Sequence, residues 1–182
     1  MCIRDRKWVA AARDALGVDA ERLAVAGNSA GGALAALLAQ RSAEEHVPVV
    51  FQLLHQPVLD DRSTSSKEEF LATPGFDGPA SSQMWQHYSD GGPVPPAAVP
   101  ARTAGLREVP SAFISCSELD PLRDEAIGYA TSLMQAGVAV ELHVIPGTCH
   151  GFDSLLPDWE LSEQLFALQG AALRRALHPP VT

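Results

Sequence analysis

The chain has 182 residues, of which 46% are hydrophobic and 19% charged, with a net charge of −9. This length predicts about one domain with a sizeable core, and since no apolar run reaches the roughly 18 residues of a membrane span, we expect a soluble globular protein. The 13 basic residues against 22 acidic ones argue against a nucleic-acid partner, and the three cysteines, an odd number without metal-ligand spacing, favour a reducing cytoplasm.

The amino terminus contains no apolar segment of the kind found in secretory signals. Residues 1–6 resemble the adaptor-derived starts of truncated environmental reading frames, so we interpret them as a non-native start. A helix is predicted directly afterwards over residues 8–16, with Trp8, Ala12 and Leu16 at helical spacing and Gly17 as its cap. Because no strand precedes this helix, we expect residues 7–178 to form a single domain that lacks its amino-terminal strands.

A strand, a tight turn and a helix follow. Residues 22–26 predict a buried strand and residues 33–40 a helix with Leu34, Leu37 and Leu38 on one face. Between them lies a G-x-S-x-G pattern, Gly27-Asn28-Ser29-Ala30-Gly31. In such a turn larger neighbours would collide with the strand and the helix, and the serine hydroxyl is exposed at the carboxyl end of the sheet. Ser29 is therefore a candidate nucleophile; the alternative is a small-residue turn that only packs a helix onto a sheet.

The middle of the chain is longer than a simple crossover between two parallel strands requires. Residues 49–54 are almost continuously apolar, as expected of an interior strand of a parallel sheet. Residues 57–110 predict an insertion above the sheet between the second and third strands, with short helices at 66–72 and 81–89 and an extended proline-rich connection at 93–100. This insertion is expected to cover the site; the alternative is a surface excursion without a role.

Two more strand–helix units complete the pattern. Strands are predicted at 112–116 and 140–144 and helices at 123–136 and 158–177. Alternating polarity in the last strand indicates a sheet edge. The predicted helix faces are Ala126, Ala130, Leu133 and Met134 in the first helix, and Leu161, Leu165, Leu168, Ala172 and Ala176 in the second. Four strands alternating with helices predict an α/β fold with a parallel sheet, whose ligands bind beyond the carboxyl ends of the strands.

Ser29, Asp120 and His150 each follow such a strand end. Ester hydrolysis needs a nucleophile, a base that takes its proton, and a carboxylate that orients the base. We expect these three residues to supply those groups, in the chain order that is typical of the α/β-hydrolase fold. Glu118 is the reserve choice for the carboxylate.

The other side chains that could take part in catalysis are interpreted as structural. Asp124 and Glu125 fall in the first turn of a predicted helix, where acidic residues suit the helix dipole without further purpose. Cys149 is interpreted as a small packing residue, because its side chain diverges from that of its neighbour His150. The other histidines lie on helix ends, in strands or in the tail, and none has the required position: His46, His55, His87, His143 and His178.

With these residues in place, the chain resembles the hormone-sensitive-lipase-like group of α/β-hydrolases, a family of carboxylesterases, over about residues 7–177. The motifs that carry the resemblance are the serine turn, residues 56–60, residues 120–125 and His150-Gly151-Phe152. The resemblance implies that Ser29, Asp120 and His150 are a catalytic triad and that the Ala30 amide is one oxyanion-hole donor. It implies no metal and no cofactor. Leu122 and Phe152, beside the catalytic loops, are candidates for the wall of the substrate pocket.

The chain departs from this family at three places. Asn28 stands where Asp or Glu is more frequent, and Gln56 where Tyr is usual. The His-Gly-Gly motif that normally precedes the nucleophile and completes the oxyanion hole is absent. Loss of one oxyanion donor costs about 3 to 4 kcal/mol of transition-state stabilisation, and an unpaired strand edge promotes aggregation. We therefore expect the 182-residue chain alone to be poorly soluble and nearly inactive.

The predicted function of the parent protein is that of a serine carboxylesterase acting on a small-molecule ester. Two alternatives stay open on the same fold: a non-catalytic binding module, as in the family's plant hormone receptors, which have lost the catalytic histidine, and an amidase or peptidase. The strand edge at 140–144 permits a homodimer through the last strand and helix.

Overall fold

The computed structural model describes residues 2–42 and 49–178, and the interpretation of His46 lies outside these residues. The strands are β1 (Ala24–Asn28), β2 (Phe51–His55), β3 (Ser111–Leu119) and β4 (Val140–Cys149). The helices are α1 (Cys2–Ala11), α2 (Arg13–Leu16), α3 (Ala30–Gln40), α4 (Ser65–Glu69), α5 (Gly78–Tyr88), α6 (Arg123–Gln135), α7 (Phe152–Leu155) and α8 (Glu160–Leu177).

The described strands form one parallel sheet in the order β1-β2-β3-β4, which confirms the predicted α/β architecture. All of β2 is buried, as its continuous apolar run predicts, and β4 is an outer strand, as its alternation predicts. β3 and β4 are longer than predicted. β4 continues to Cys149, and its register with β3 shifts between Ser117 and Leu119. This extension carries the chain directly to His150.

Hydrophobic clusters lie on both faces of the sheet. On one face α3 and α6 pack against β2 and β3, with Leu54 and Ile114 at the centre of the cluster. On the other face α8 packs against Phe51 and Phe113. The sheet is therefore covered on both sides, as in other parallel sheets.

The helix faces differ in part from the prediction. In α3 the sheet side consists of small residues, Ala35, Ala36 and Ala39, whereas Leu34 is 47% exposed. In α6 Tyr129 and Leu133 are buried while Met134 is 49% exposed. Small alanines let a helix lie close to a sheet, so the leucines of α3 are left for another contact.

The last helix shows a similar deviation. Leu165 and Ala172 are buried, and Leu161 and Ala176 pack against the same cluster. Leu168 is 36% exposed and lies at the margin of this apolar stripe.

The amino-terminal helix begins earlier than predicted, at Cys2. Arg6 is buried, and its Nη1 donates a hydrogen bond to the Leu38 carbonyl at 3.1 Å. Trp8 is 60% and Leu16 44% exposed, so the predicted stripe on this segment is not covered by the described residues. The interpretation of residues 1–6 as a non-native start stays a prediction.

The segment between β2 and β3 contains α4, α5 and three short 3-10 turns. The proline-rich stretch is not simply extended, since Pro96–Ala98 and Pro100–Arg102 are 3-10 turns. Proline fits such positions because the first residues of a helical turn need no N–H donor. Trp85 of α5 packs with Val58, Val99 and Leu122, which attaches this segment to the carboxyl end of the sheet.

Candidate active site

Ser29 lies between β1 and α3 in a backbone conformation that is rare for a residue with a side chain, with φ 54° and ψ −120°. Its N–H donates to the His55 carbonyl at 2.9 Å, and its carbonyl accepts from Gly32 at 2.9 Å and from Val58 at 3.1 Å. Such conformations cost about 1 to 3 kcal/mol and persist when neighbouring structure fixes them. The strained turn that the motif predicts is present at Ser29.

The space around the glycines near Ser29 explains in part why the G-x-S-x-G motif requires glycine. A Cβ atom on Gly27 would lie 2.0 Å from the Gly31 carbonyl oxygen, as the prediction requires. A Cβ atom on Gly31 would meet no heavy atom within 4 Å, so the predicted collision is wrong at that position. The close approach falls instead on Gly32, where a Cβ would lie 2.6 Å from Pro57 Cβ.

The three residues predicted at strand ends lie together. His150 Nε2 is 3.0 Å from Ser29 Oγ, and His150 Nδ1 is 2.8 Å from Asp120 Oδ2. The other carboxylate oxygen of Asp120 accepts from the Leu122 amide at 2.8 Å, and Asp120 is fully buried. A buried carboxylate that accepts from Nδ1 favours the tautomer with a free lone pair on Nε2, directed at the serine hydroxyl.

Among the alternatives, the side chains of Glu118, His55 and His143 contact residues other than Ser29. Glu118 is exposed and accepts from the Gly147 amide at 2.7 Å. His55 contacts Ser115 and Asp153, and His143 contacts Glu141. Burial of Asp153 opposes its ionisation, but the hydrogen bond from His55 holds the pKa of that carboxyl below its ordinary value.

The predicted accessory residues have different surroundings. Ala30 is exposed and is the first residue of α3, where backbone amides have no intrahelical acceptor. Leu122 is fully buried in the cluster with Trp85, and Phe152 is 2% exposed in the cluster on the α8 side of the sheet. Both side chains are buried, and their role in the pocket wall stays a prediction.

A cavity that the sequence did not indicate opens beside the nucleophile turn. It has a volume of about 140 Å³ and an apolar lining shared by α3 and α5. Its lining includes Ala30, Leu34, Leu37, Met84, Trp85 and Tyr88. Leu34 and Leu37 of α3 thus line this cavity, whereas Leu38, predicted on the same face, is buried and does not line it.

A buried ion pair connects α4 to the helix that follows Asp120. Lys67 Nζ is 2.5 Å from Glu125 Oε2, and both side chains are at least nine-tenths buried. Glu125 Oε1 also accepts from the Leu59 amide at 2.7 Å. Burial raises the pKa of Glu125 to about 7, and the charge of Lys67 opposes that rise. The interpretation of Glu125 as a helix-dipole residue was wrong, because the local sequence gives no sign of Lys67.

Two cysteines among the described residues have free thiols. Cys149 is a free, half-buried cysteine, while burial raises the pKa of the Cys116 thiol to about 12.

Within residues 2–42 and 49–178, no group of three or more His, Cys, Asp or Glu side chains is arranged to hold a metal ion. None of the helices in these residues is long and apolar enough to cross a bilayer.

Comparison with known proteins gives consistent results. A family model described as alpha/beta hydrolase fold matches residues 2–154. Esterase LipI of Mycobacterium tuberculosis is 40% identical over 153 residues, which cover 80% of this chain and 47% of that protein. Carboxylesterase NlhH of the same organism is 37% identical over 180 residues, which cover 94% of this chain and 56% of that protein.

A solved structure agrees with these relatives. The crystal structure of esterase LipW from Mycobacterium marinum matches with a TM-score of 0.92 and 55% sequence identity, over 94% of this chain and 55% of that chain. The chain therefore spans about half the length of the relatives it matches.

Proposed function

The chain belongs to the hormone-sensitive-lipase-like family of the alpha/beta hydrolase fold, and from this premise we propose that the whole protein is a serine carboxylesterase. Ser29 is the nucleophile, His150 the general base and acid, and Asp120 the carboxylate that orients His150. The observation that carries this proposal is the continuous contact from Asp120 through His150 to Ser29, at 2.8 and 3.0 Å.

The geometry supports a two-step reaction. His150 Nε2 takes the proton of Ser29 Oγ while the oxygen attacks the ester carbonyl carbon. The imidazolium then gives this proton to the leaving alkoxide, and the alcohol departs from an acyl-enzyme. In the second step His150 takes a proton from water as it attacks the acyl carbon, and Ser29 regains a proton when the carboxylic acid leaves. Buried Asp120 stabilises the imidazolium in both steps.

The apolar cavity beside Ala30 is suited to the hydrocarbon part of the substrate. Its leucine and aromatic lining offers dispersion contacts and burial of apolar surface. Phe76, in the segment 57–110, lies with its ring centroid 5.0 Å from that of His150. We therefore place this segment as an insertion over the site.

The 182-residue chain alone is expected to turn over slowly and to aggregate. The Ala30 amide supplies one oxyanion donor, and each donor that is missing slows the reaction about a hundredfold to a thousandfold. Ala26 and Asn28 of β1 are exposed, which leaves a strand edge available for pairing with other chains. Light scattering and ester turnover measure both properties, and a clean monomer with rapid turnover would contradict this expectation.

The decisive experiment is covalent labelling by a fluorophosphonate, which reacts only with an activated serine. We expect the whole protein to be labelled and its Ser29→Ala variant to remain unlabelled. Ser82→Ala, which removes an exposed hydroxyl from α5, is the matched control and should label like the unmodified protein. Label that persists in Ser29→Ala would remove Ser29 from the proposed role.

The same assays separate the alternative functions. An amidase or peptidase would release p-nitroaniline from a p-nitroanilide, whereas we expect turnover of the corresponding p-nitrophenyl ester without turnover of the anilide. A binding module would retain a ligand without labelling at Ser29. The hydrogen bond between His150 and Ser29 is the observation that favours hydrolysis over binding alone.

The oligomeric state, the partners and the location are proposed from separate observations. The outer position of β4 and the exposed Phe166 of α8 support a homodimer through these elements, which size-exclusion chromatography with light scattering would test. The net charge of −9 supports the absence of a nucleic-acid partner, and the free cysteines Cys116 and Cys149 support a cytoplasmic location.

A further inference from the structure

The side chain of Gln56 contacts the chain on both sides of His150. Gln56 directly follows β2 and is fully buried. Its Oε1 accepts from the Gly151 amide at 2.7 Å, and its Nε2 donates to Ser117 Oγ at 2.7 Å and reaches the Cys149 carbonyl at 3.5 Å. Ser117 Oγ in turn donates to the Cys149 carbonyl at 3.0 Å. One carboxamide thus connects the residue before His150 to the residue after it.

The backbone of Gln56 is held in an unusual conformation. Its φ is 44°, in the left-handed region that non-glycine residues seldom adopt. Its N–H donates to the Ser115 carbonyl at 2.7 Å, which continues the sheet contact beyond the end of β2. Since strained residues persist only where their surroundings fix them, Gln56 is fixed by both its main chain and its side chain.

Two glycines lie near His150, one inside β4 and one directly after the histidine. Gly147 and Gly151 both have positive φ values, 66° and 74°, and flank the histidine on either side. Glycine adds backbone freedom that an external contact must remove if the histidine is to hold one position. His55 fixes the chain further along, through Asp153 Oδ1 at 3.0 Å. In the segment from Cys149 to Gly151, Gln56 and Ser117 add side-chain contacts to the pairing of Cys149 with Leu119 of β3.

We propose that Gln56 is a positioning residue for His150. Its carboxamide fixes the peptide groups on both sides of the histidine, so that Nε2 stays within hydrogen-bond distance of Ser29 and Nδ1 within that of Asp120. This inference rests on the proposed function for its catalytic consequence. Its structural part, that Gln56 maintains the contact between His150 and Asp120, is independent of catalysis.

The test compares Gln56→Met with Gln52→Met in the whole protein. Gln52 is also a fully buried glutamine of β2, but its Nε2 donates to the Pro110 carbonyl at 3.0 Å, at the opposite end of the strand. The two positions are about 13 Å apart along the strand. Each substitution removes one buried carboxamide and preserves the length of the side chain, so a loss of stability alone would affect both variants.

The primary readout is the downfield NMR signal of the His150 Nδ1 proton bonded to Asp120. We expect this signal in the unmodified protein and in Gln52→Met, and its loss in Gln56→Met. The second readout is the rate of fluorophosphonate labelling at equal folded fraction. Gln56→Met should slow labelling about 100-fold, the effect of a misplacement of about 1 Å, whereas Gln52→Met should leave the rate unchanged.

Ser117→Ala provides a milder second variant if Gln56→Met does not fold. It removes the hydroxyl that links Gln56 to Cys149, and it should broaden the Nδ1 signal and slow labelling in the same direction. An unchanged signal in Ser117→Ala and Gln56→Met, or equal effects of Gln56→Met and Gln52→Met, would overturn the inference. Labelling that survives Ser29→Ala would reject the proposed function instead, and the Nδ1 signal would still decide the role of Gln56.

Discussion

The same added methyl group should have opposite effects at the two glycines of the G-x-S-x-G turn. A Cβ on Gly27 would lie 2.0 Å from the oxygen and 2.3 Å from the carbon of the Gly31 carbonyl, and 2.7 Å from the Gly32 nitrogen. These are main-chain atoms of the first turn of α3, so they can move only if the helix moves. A Cβ on Gly31 would meet nothing within 4 Å, and φ of Gly31 lies outside the left-handed region.

The magnitudes follow from these contacts. Ordinary carbon contacts lie at about 3.5 to 4 Å, so Gly27→Ala must displace the start of α3 by more than 1 Å. Overpacking of this kind costs about 1 to 3 kcal/mol where side chains can adjust; with main-chain atoms as neighbours we expect a loss of about 3 kcal/mol or more. Gly31→Ala gains helix propensity, at most about 1 kcal/mol, so we expect a stability that is unchanged or raised by about 0.5 kcal/mol.

Urea unfolding followed by far-UV circular dichroism measures both effects. A shift of the midpoint at constant slope reports a change in stability, and a changed slope reports a change in compactness. Gly32→Ala is a useful third variant, because its Cβ would meet Pro57 Cβ at 2.6 Å, and we expect a loss between those of the other two. Equal losses in Gly27→Ala and Gly31→Ala would refute the reasoning from close contacts.

Three further predictions concern the buried charges. Asp120→Asn should slow labelling and ester turnover about 10⁴-fold, because the amide NH₂ would face His150 Nδ1 and favour the wrong tautomer; equal rates would contradict it. Lys67→Met at pH 8 should lower the free energy of unfolding by about 3 to 5 kcal/mol, since Glu125 is left buried without its cation. Lys67→Met/Glu125→Leu should recover most of this loss; additive losses in this double-mutant cycle would argue against the pair. The pKa of Glu125, raised from 4.5 to about 7, means that the folded state binds the extra proton, so its contribution to stability is present below pH 4.5 and is lost as the pH rises to about 7. Urea midpoints from pH 4 to 8 should show this decline in the unmodified chain but not in Glu125→Gln.

The sequence predicted the position of the site well because that position depends on topology. In a parallel sheet the carboxyl ends of all strands meet at one edge, so Ser29, Asp120 and His150 had to converge once the strands were assigned. The ends of β3 and β4 were less accurate, since the polar residues Ser117, Glu118 and Thr148 continue the strands beyond their apolar centres.

The polar contacts around the site could not be predicted in the same way. Glu125 was assigned by a local rule about helix dipoles, while its partner Lys67 lies in another element that only the folded chain brings near. Leu34 was placed on a helix face correctly, but a cavity and not the sheet receives it. Gln56 was noticed only as a departure from a resemblance, because its partners lie on β3 and after β4. Long-range pairing, and not local pattern, decides these roles.

Several contacts around the site are made by one segment, residues 55–60, which begins at the last residue of β2. It contains none of the three proposed catalytic side chains, yet it contacts the turn of Ser29, the residues on both sides of His150 and the helix that follows Asp120. The His55 carbonyl and the Val58 amide hold the main chain of Ser29. The Leu59 amide binds Glu125, in the helix that follows Asp120.

The loop that carries His150 is held by Gln56, through its contacts with Cys149 and Gly151. Because these two loops and the helix contact a common segment, an error in its position would displace all three proposed catalytic groups together, whereas a change within one loop would displace a single group. Since about 1 Å of misplacement costs about 100-fold in rate, the rigidity of residues 55–60 is a condition for the alignment of the site. Their burial, complete or nearly so from His55 to Asp60, supplies that rigidity.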